Sequence, residues 1–375
     1  MEQKRQQAGP ASNLTRREFM RDSAAAAAGL AVGLGAVRGQ SAYAADEAAK
    51  NTRSYNPQME YRRLGKTNIW ASAVCLGGHW KRVNVMAPDA YKGDGWLDAN
   101  LSDEAFKKNR YDVVSRCIEC GINYIDACTK EEVMAYAEAL RGRRDKMYLG
   151  FSWYQEEMRN ASFRTTAALL GTLEKGMKEA KLDYVDLWRI TMLEQSSNHT
   201  NAEVDEMMKA LEKARGQGKA RFTGFSSHLQ PHIKWMIETY PNVVQVVVTP
   251  YTAKSKVLPQ DSVFEAIKKF DVGVFGIKPF AGTSLFKGDS SPGSGTAEED
   301  DRLARMAIRY ILCNPAITAP IPGLINTHQV DNMAKAVKER RELDLKEARE
   351  LEAAMDEAWA KLPADYQWLK DWEYV

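Results

Sequence analysis

The chain is poor in cysteine, balanced in charge and free of long apolar runs, and each shortage narrows what it can be. Five cysteines in 375 residues are too few for a disulfide-built scaffold. Cys117 and Cys120 stand at helical spacing. With no second pair and no His-x-His nearby, they are read as packed helix residues rather than a metal half-site. No metal site is expected. Basic and acidic residues nearly cancel, 52 against 50, so nothing marks a nucleic-acid face, which needs clustered basic charge. No Gly-x-Gly-x-x-Gly follows the first strand-like run, which counts against an open dinucleotide-binding sheet. The apolar stretch from Ala24 to Val37 is too short to cross a bilayer, which takes roughly 20 residues.

That stretch carries a different signal. It follows Thr15-Arg16-Arg17-Glu18-Phe19 and leads to Ser41-Ala42-Tyr43-Ala44. Twin arginines, an apolar core and a small-residue cleavage pattern therefore occur in the order of a twin-arginine (Tat) export signal. Residues 1–44 are expected to be a signal peptide bound by the export machinery. Residues 45–58 are expected to be a polar linker. Residues 59–375 would then work in the periplasm or elsewhere outside the cytoplasm.

The remaining chain alternates apolar, β-branched runs with helical periodicity. The runs are Ala73–Leu76, Asn123–Asp126, Met147–Phe151, Tyr184–Trp188, Arg221–Phe225, Val243–Val248, Val272–Ile277 and Ile317–Ile321. Between two of them, Val204, Met207, Met208, Leu211 and Ala214 fall on one helix face, and Gly216 and Gly218 stop that helix. Eight β-then-α units without a sharp linker predict an α/β fold, a closed (β/α)8 TIM barrel. A hairpin turning at Gly65–Asn68 precedes it, and a charged helix from about Asp344 to Lys361 follows. Loops at 82–103 and 286–296 are long enough to be lids or unstructured. The tail carries Tyr366, Trp368, Trp372 and Tyr374, which are expected to pack on the body, over one barrel mouth.

Active groups of such barrels stand at the C-terminal strand ends. Those ends offer His79, Asp126, Cys128, Ser152 to Tyr154, Thr191, Ser226 to His228, Gln245 with Tyr251, Lys278 and Gly323. His79 can exchange a proton near neutral pH. Cys128 has no base adjacent in sequence and is read as a packing residue.

Tyr61-Arg-Arg-Leu-Gly-Lys-Thr-Asn-Ile-Trp-Ala-Ser72, Gly121-Ile-Asn-Tyr-Ile-Asp126, Leu182-Asp-Tyr-Val-Asp-Leu187, Gly218–Ser227 and Asn314–Gly323 together resemble the aldo/keto reductase family, in the family's order and across nearly the whole mature chain. The resemblance implies a barrel that binds NADP(H) across its C-terminal mouth and reduces a carbonyl by hydride transfer. It also implies a catalytic Asp, Tyr, Lys and His. Only Asp126 matches. No Tyr stands in Asp126-Ala-Cys-Thr-Lys-Glu-Glu132, and Tyr136 is read as a packed helix residue. Ser152 or Trp153 falls at the Lys position and Thr191 at the His position. With Thr191 facing inward, strand alternation points Arg189 inward too. A lone charge there is costly, so Asp126 is its expected partner and Arg189 the replacement cation. His79 is the substitute acid.

For the cofactor, the resemblance points to Ser226, Ser227 (where the family has Asn) and Gln245 at the nicotinamide, with Lys278 and Gly323 at the strand ends. Asn326 or Thr327 would cap a helix whose free N–H groups favour phosphate. His328 stands where the family often has Arg for the extra phosphate of NADP, and Asp331 and Asn332 match adenine contacts. The expected function is an exported NADP(H)-linked oxidoreductase acting on a small carbonyl or alcohol with a non-standard proton donor. Two alternatives stand beside it. One is a ligand- or nucleotide-binding barrel that has lost reductase turnover. The other is an isomerisation or elimination using Asp126, His79 or Tyr251.

Overall fold

The computed structural model describes residues 47–80, 100–288 and 293–375. The expected signal peptide (1–44), most of the loop at 82–103 and residues 289–292 of the second loop lie outside the described residues. The chain divides into two units after residue 50. Of the first, only residues 47–50 are described, a single helical turn.

The second unit opens with a hairpin of β1 (Tyr61–Arg63) and β2 (Trp70–Ser72), with Tyr61 opposite Ser72. The turn between them is a short 3-10 segment, Gly65–Thr67, ended by Asn68 in the left-handed region, φ 55°, which Asn tolerates. Leu64, Ile69 and Ala71 of this hairpin join the apolar cluster inside the barrel, so the hairpin plugs the N-terminal end.

Eight parallel strands follow: β3 (Leu76–Gly77), β4 (Tyr124–Ala127), β5 (Tyr148–Phe151), β6 (Val185–Thr191), β7 (Ala220–Ser226), β8 (Val246–Pro250), β9 (Gly273–Ile277) and β10 (Ala319–Pro320). They pair in chain order. The last returns to the first: Cys75 N donates to Pro320 O at 3.1 Å and Gly77 N to Pro322 O at 2.8 Å, with Gly77 bridged in parallel to Gly323. The barrel is closed, as the strand–helix alternation predicts. Gly323 has to be glycine at this seam, because a Cβ there would lie 2.5 Å from Gly78 O.

The helices α1 (Glu104–Cys120), α2 (Lys130–Ala139), α3 (Thr166–Ala180), α4 (Asn201–Gly216), α5 (Gln230–Thr239), α6 (Val263–Lys269), α7 (Ala297–Leu312) and α8 (Thr327–Lys338) follow the strands in turn, and α9 (Leu345–Ala360) closes the order. Their starts use ordinary caps: Thr200 with Glu203 at α4 and Asp344 with Glu347 at α9 form reciprocal capping boxes. Strand residues alternate between two apolar layers. Tyr124, Leu187, Val246, Val248, Phe275 and Ala319 fill the barrel. Ile125, Trp188, Val247 and Val274 face the helices. Each such aliphatic side chain, fully buried, contributes about 1.5–3 kcal/mol.

Two polar regions are tied down. From Thr52 onward, the segment expected as a linker is fastened to the body. Arg53 reaches the Met147 carbonyl at 2.7 Å and Asp186 at 3.0 Å, and the buried Asp186 also takes Arg144 and Arg221. The aromatic tail packs as expected, over the C-terminal mouth. Trp368 stacks on His228 with ring centroids 4.1 Å apart. Trp372 donates its indole N–H to the His228 carbonyl at 2.7 Å, and Tyr366 lies under the Lys278 ammonium. Tyr374 alone stays exposed among these aromatics.

Candidate functional site

Strand alternation places Asp126 and Arg189 inside the C-terminal mouth, where both are almost fully buried. Arg189 grips Asp126 with two bonds, Nε to Oδ1 at 2.9 Å and Nη2 to Oδ2 at 2.5 Å. Burial works against the Arg189 charge, and the Asp126 carboxylate overrides it, holding the guanidinium above its ordinary value. The remaining nitrogen, Nη1, donates to Thr191 Oγ1 at 2.8 Å and approaches the Cys128 thiol at 3.6 Å. Burial pushes that thiol up, away from the nucleophilic thiolate.

The hydroxyls beyond Thr191 have a fixed direction. Ser152 Oγ donates to Glu157 Oε2 at 2.5 Å and lies 2.9 Å from Thr191 Oγ1. A hydroxyl has one proton, so Thr191 must donate to Ser152. The chain therefore runs Arg189 to Thr191 to Ser152 to Glu157, cation to carboxylate. Glu157 also accepts from Thr191 N at 2.8 Å and Trp153 N at 3.1 Å. Burial pushes its carboxyl up, against these donated bonds. Ser152, not Trp153, occupies the inward position, and Trp153 packs outside. Both hydroxyl protons are committed, so neither Thr191 nor Ser152 is a proton donor to a ligand.

His79 stands at the end of β3 with φ 57°. This left-handed conformation is uncommon for a residue with a side chain and tends to occur at functional sites. Glu132, buried at the start of α2, holds it. The Glu132 carboxylate takes the His79 backbone N–H at 2.5 Å and ring Nδ1 at 2.8 Å, and its second oxygen takes Cys128 N at 2.6 Å. Gly78 makes room, since a Cβ there would fall 2.0 Å from the Glu132 carboxyl carbon. Burial lowers the His79 pKa; Glu132 opposes this, and Lys278 and Arg189 add to it. The contact with His79 holds the Glu132 carboxyl below its ordinary value despite burial. Tyr136 is a packed helix residue, its hydroxyl bonded to the Gly77 carbonyl at 2.6 Å.

A cavity of about 800 Å³ opens above these groups, of a size that holds small-molecule ligands. His79, Asp126, Arg189, Thr191, Ser226, Lys278, Gly323, Asn326, His328 and Asn332 all line it. It runs from the Asp126–Arg189 pair to the start of α8. There Asn326, rather than Thr327, is the cap and accepts from Gln329 N at 2.9 Å. The first-turn N–H groups of α8 offer a pyrophosphate a place to bind. The chain thus has a mouth and a helix terminus that fit an extended dinucleotide.

Three expected residues lie elsewhere. Gln245 precedes β8 and shares the outward parity of Val247. Its side-chain oxygen accepts from Thr223 N at 3.1 Å, below the rim, and the inward positions on that strand are Val246 and Val248. Ser227 turns away by the same alternation and bonds Ser196 Oγ at 2.7 Å. Asp331 sits on the face of α8 that meets α1 and pairs with Arg116 at 2.6 Å. Tyr251 also leaves the site, its hydroxyl accepting from Asn314 at 3.1 Å. Sequence reasoning missed Glu132 and Glu157. The Gly77-Gly78 pair before His79 was the available signal for Glu132. Tyr154, Arg159 and Asp301 also line the cavity. Among the described residues no cluster could hold a metal ion, and no helix is long and apolar enough to cross a membrane.

Comparison with known proteins agrees with this architecture. Residues 95–356 match the model of the Aldo/keto reductase family. The uncharacterized oxidoreductase YrpG of Bacillus subtilis is 23% identical over 363 residues, covering 83% of this chain and all of that protein. Among solved structures, the holo form of an aldo-keto reductase from Bacillus halodurans superposes with a TM-score of 0.56 at 18% identity, covering 82% of this chain and 99% of that one. An aldo-keto reductase from Klebsiella pneumoniae in complex with NADPH gives 0.58 at 16% identity, covering 79% and 94%. At these identities the structural likeness speaks for the fold alone. The family match, spanning most of the chain, goes further: this protein belongs to the aldo/keto reductase family.

Proposed function

We propose that the protein is an exported, nicotinamide-dependent oxidoreductase that interconverts a small carbonyl compound and its alcohol, with His79 in the place of the missing tyrosine. One observation carries the reading. A histidine backed by a buried carboxylate shares the cavity rim with a fixed Asp126–Arg189 pair, at one end of a cleft whose other end is a helix N-terminus. The nicotinamide would supply or accept the hydride. The structurally similar Klebsiella protein was crystallised with NADPH.

The chain's own residues divide the remaining work. Glu132 holds Nδ1 of His79 and so orients the imidazole at the cavity rim, where it would exchange a proton with a substrate oxygen. Arg189, locked by Asp126, sets a fixed ion pair at the floor of the cavity, against which a substrate would be oriented. The protonation state each direction needs sets the sign of the pH dependence, and the lowered His79 pKa moves it to lower pH. Oxidation of an alcohol needs neutral His79 and rises with pH. Reduction needs the imidazolium and falls as pH rises.

The test is turnover of a panel of aldehydes and ketones with reduced nicotinamide nucleotide. Wild type and Tyr154→Phe should be active and His79→Gln should lose 10²- to 10⁴-fold. Equal activity in His79→Gln refutes the assignment. Nucleotide binding without turnover across the panel would favour the alternative, a binding barrel without reductase activity. For export, the reading rests on the twin-arginine segment. Fractionation of cells expressing the full chain and an Arg16→Lys/Arg17→Lys variant should show only the former outside the cytoplasm.

A further inference from the structure

We infer that the cavity selects NAD(H) over NADP(H), and that Asp301 at the start of α7 excludes the extra phosphate. The inference rests on the nucleotide reading above. A dinucleotide with its nicotinamide beside Asp126 lays its pyrophosphate toward the first turn of α8 and its adenosine toward the junction of α7 and α8. The wall at that end carries Glu298, Asp300, Asp301, His328 and Asn332. Its charge is acidic.

The bonding explains why that charge is not offset. Asp300 is held by Lys287 N at 2.8 Å and Gly288 N at 2.9 Å, through backbone groups that bring no full charge. His328 Nε2 lies 2.6 Å from Asp301 Oδ2, so Asp301 occupies the ring that would otherwise face a phosphate, and Glu298 and Asp300 carry the acidic charge of the wall. The Asn332 amide donates to the Asp301 carbonyl at 3.0 Å and fixes the turn. Arg305, the arginine that reaches toward this wall, is engaged by Glu339 at 2.9 Å and Asn332 Oδ1 at 2.7 Å. Arg302 is paired with Glu350. Neither arginine lines the cavity. Among the described residues, no uncommitted cation faces this end.

A 2′-phosphate brings roughly −1.5 to −2 charges at neutral pH. Placed against these carboxylates it meets like charge with no arginine fork to receive it. A ribose 2′-hydroxyl donates to a carboxylate, the arrangement by which dinucleotide sites choose NAD. His328 standing where the family often has Arg points the same way.

Calorimetric titration of the full chain with NAD⁺ and NADP⁺, and with ADP-ribose and its 2′-phosphate as fragments lacking nicotinamide, tests this without turnover. The unphosphorylated member of each pair should bind at least about tenfold tighter. Asp301→Asn should narrow the gap by strengthening the phosphorylated member, and His328→Arg, an exposed change, should narrow it independently. Equal or tighter binding of NADP⁺, or a ratio unmoved by both substitutions, overturns the inference and leaves the oxidoreductase reading standing. Failure of all four probes to bind removes both.

Discussion

Replacing Arg189 with methionine keeps the volume of the side chain and removes its charge and donors. Asp126, almost fully buried, then loses the bonds of 2.9 and 2.5 Å that satisfy its oxygens. Thr191 loses its donor at 2.8 Å. Breaking one side of a buried ion pair costs about 3–5 kcal/mol, because a desolvated charge is left alone. Two charge-assisted bonds at about 1.5–3 kcal/mol each give the same size. Asp126→Asn should cost a similar amount by stranding the guanidinium. The double variant Asp126→Asn/Arg189→Met removes both charges and should cost less than the sum by at least about 2 kcal/mol. Urea unfolding at pH 7, followed by the fluorescence of the nine tryptophans, reads all four states. A loss below about 1 kcal/mol for Arg189→Met, or strict additivity in the double variant, would refute the view that the pair is a tightly coupled unit.

Other expectations follow from the same contacts. Glu132→Gln removes an influence that raises the His79 pKa, so the fall of carbonyl reduction with pH should begin at a lower pH, as a pH–rate profile will show; an unmoved profile counts against the dyad. Burial pushes the His199 pKa down to about 4. Since the unfolded chain binds that proton more readily, its share of stability is complete above pH 6.5 and is lost as pH falls toward 4, by about 3 kcal/mol in all. His199→Gln should flatten that part of the stability curve. Gly323→Ala forces a methyl against the Gly78 carbonyl at the barrel seam. It should cost about 1–3 kcal/mol, seen as a lower urea midpoint.

The barrel was legible because its signals are periodic and redundant. The strand runs and the face formed by Val204, Met207, Met208, Leu211 and Ala214 repeat one pattern around the closed sheet, and an error of a residue or two in any strand does not change the topology. The Asp126–Arg189 pair was legible for a related reason: parity put both inside, and desolvation demanded a partner. Gln245, Ser227 and Asp331 fail where a single residue of register decides the outcome. On a strand, one step exchanges the barrel interior for the helix layer. On α8, neighbouring positions face α1 or the cavity, and only the packing of Arg116 against Asp331 decides between them. Glu132 and Glu157 were hidden because a carboxylate at a helix start or in a short turn looks like a solvated cap. Their partners, His79 N and Thr191 N, arrive from distant parts of the chain.

Deuterium transfer follows the hydride itself. Reduced nicotinamide nucleotide carrying deuterium at both C4 positions is mixed with the protein and a carbonyl substrate in a single turnover, and the alcohol is weighed by mass spectrometry. One deuterium is expected in the product, with the rate at least about 10²-fold lower in His79→Gln while nucleotide affinity is unchanged. Product without deuterium, or equal rates in the two proteins, would contradict hydride transfer with His79 as the proton donor.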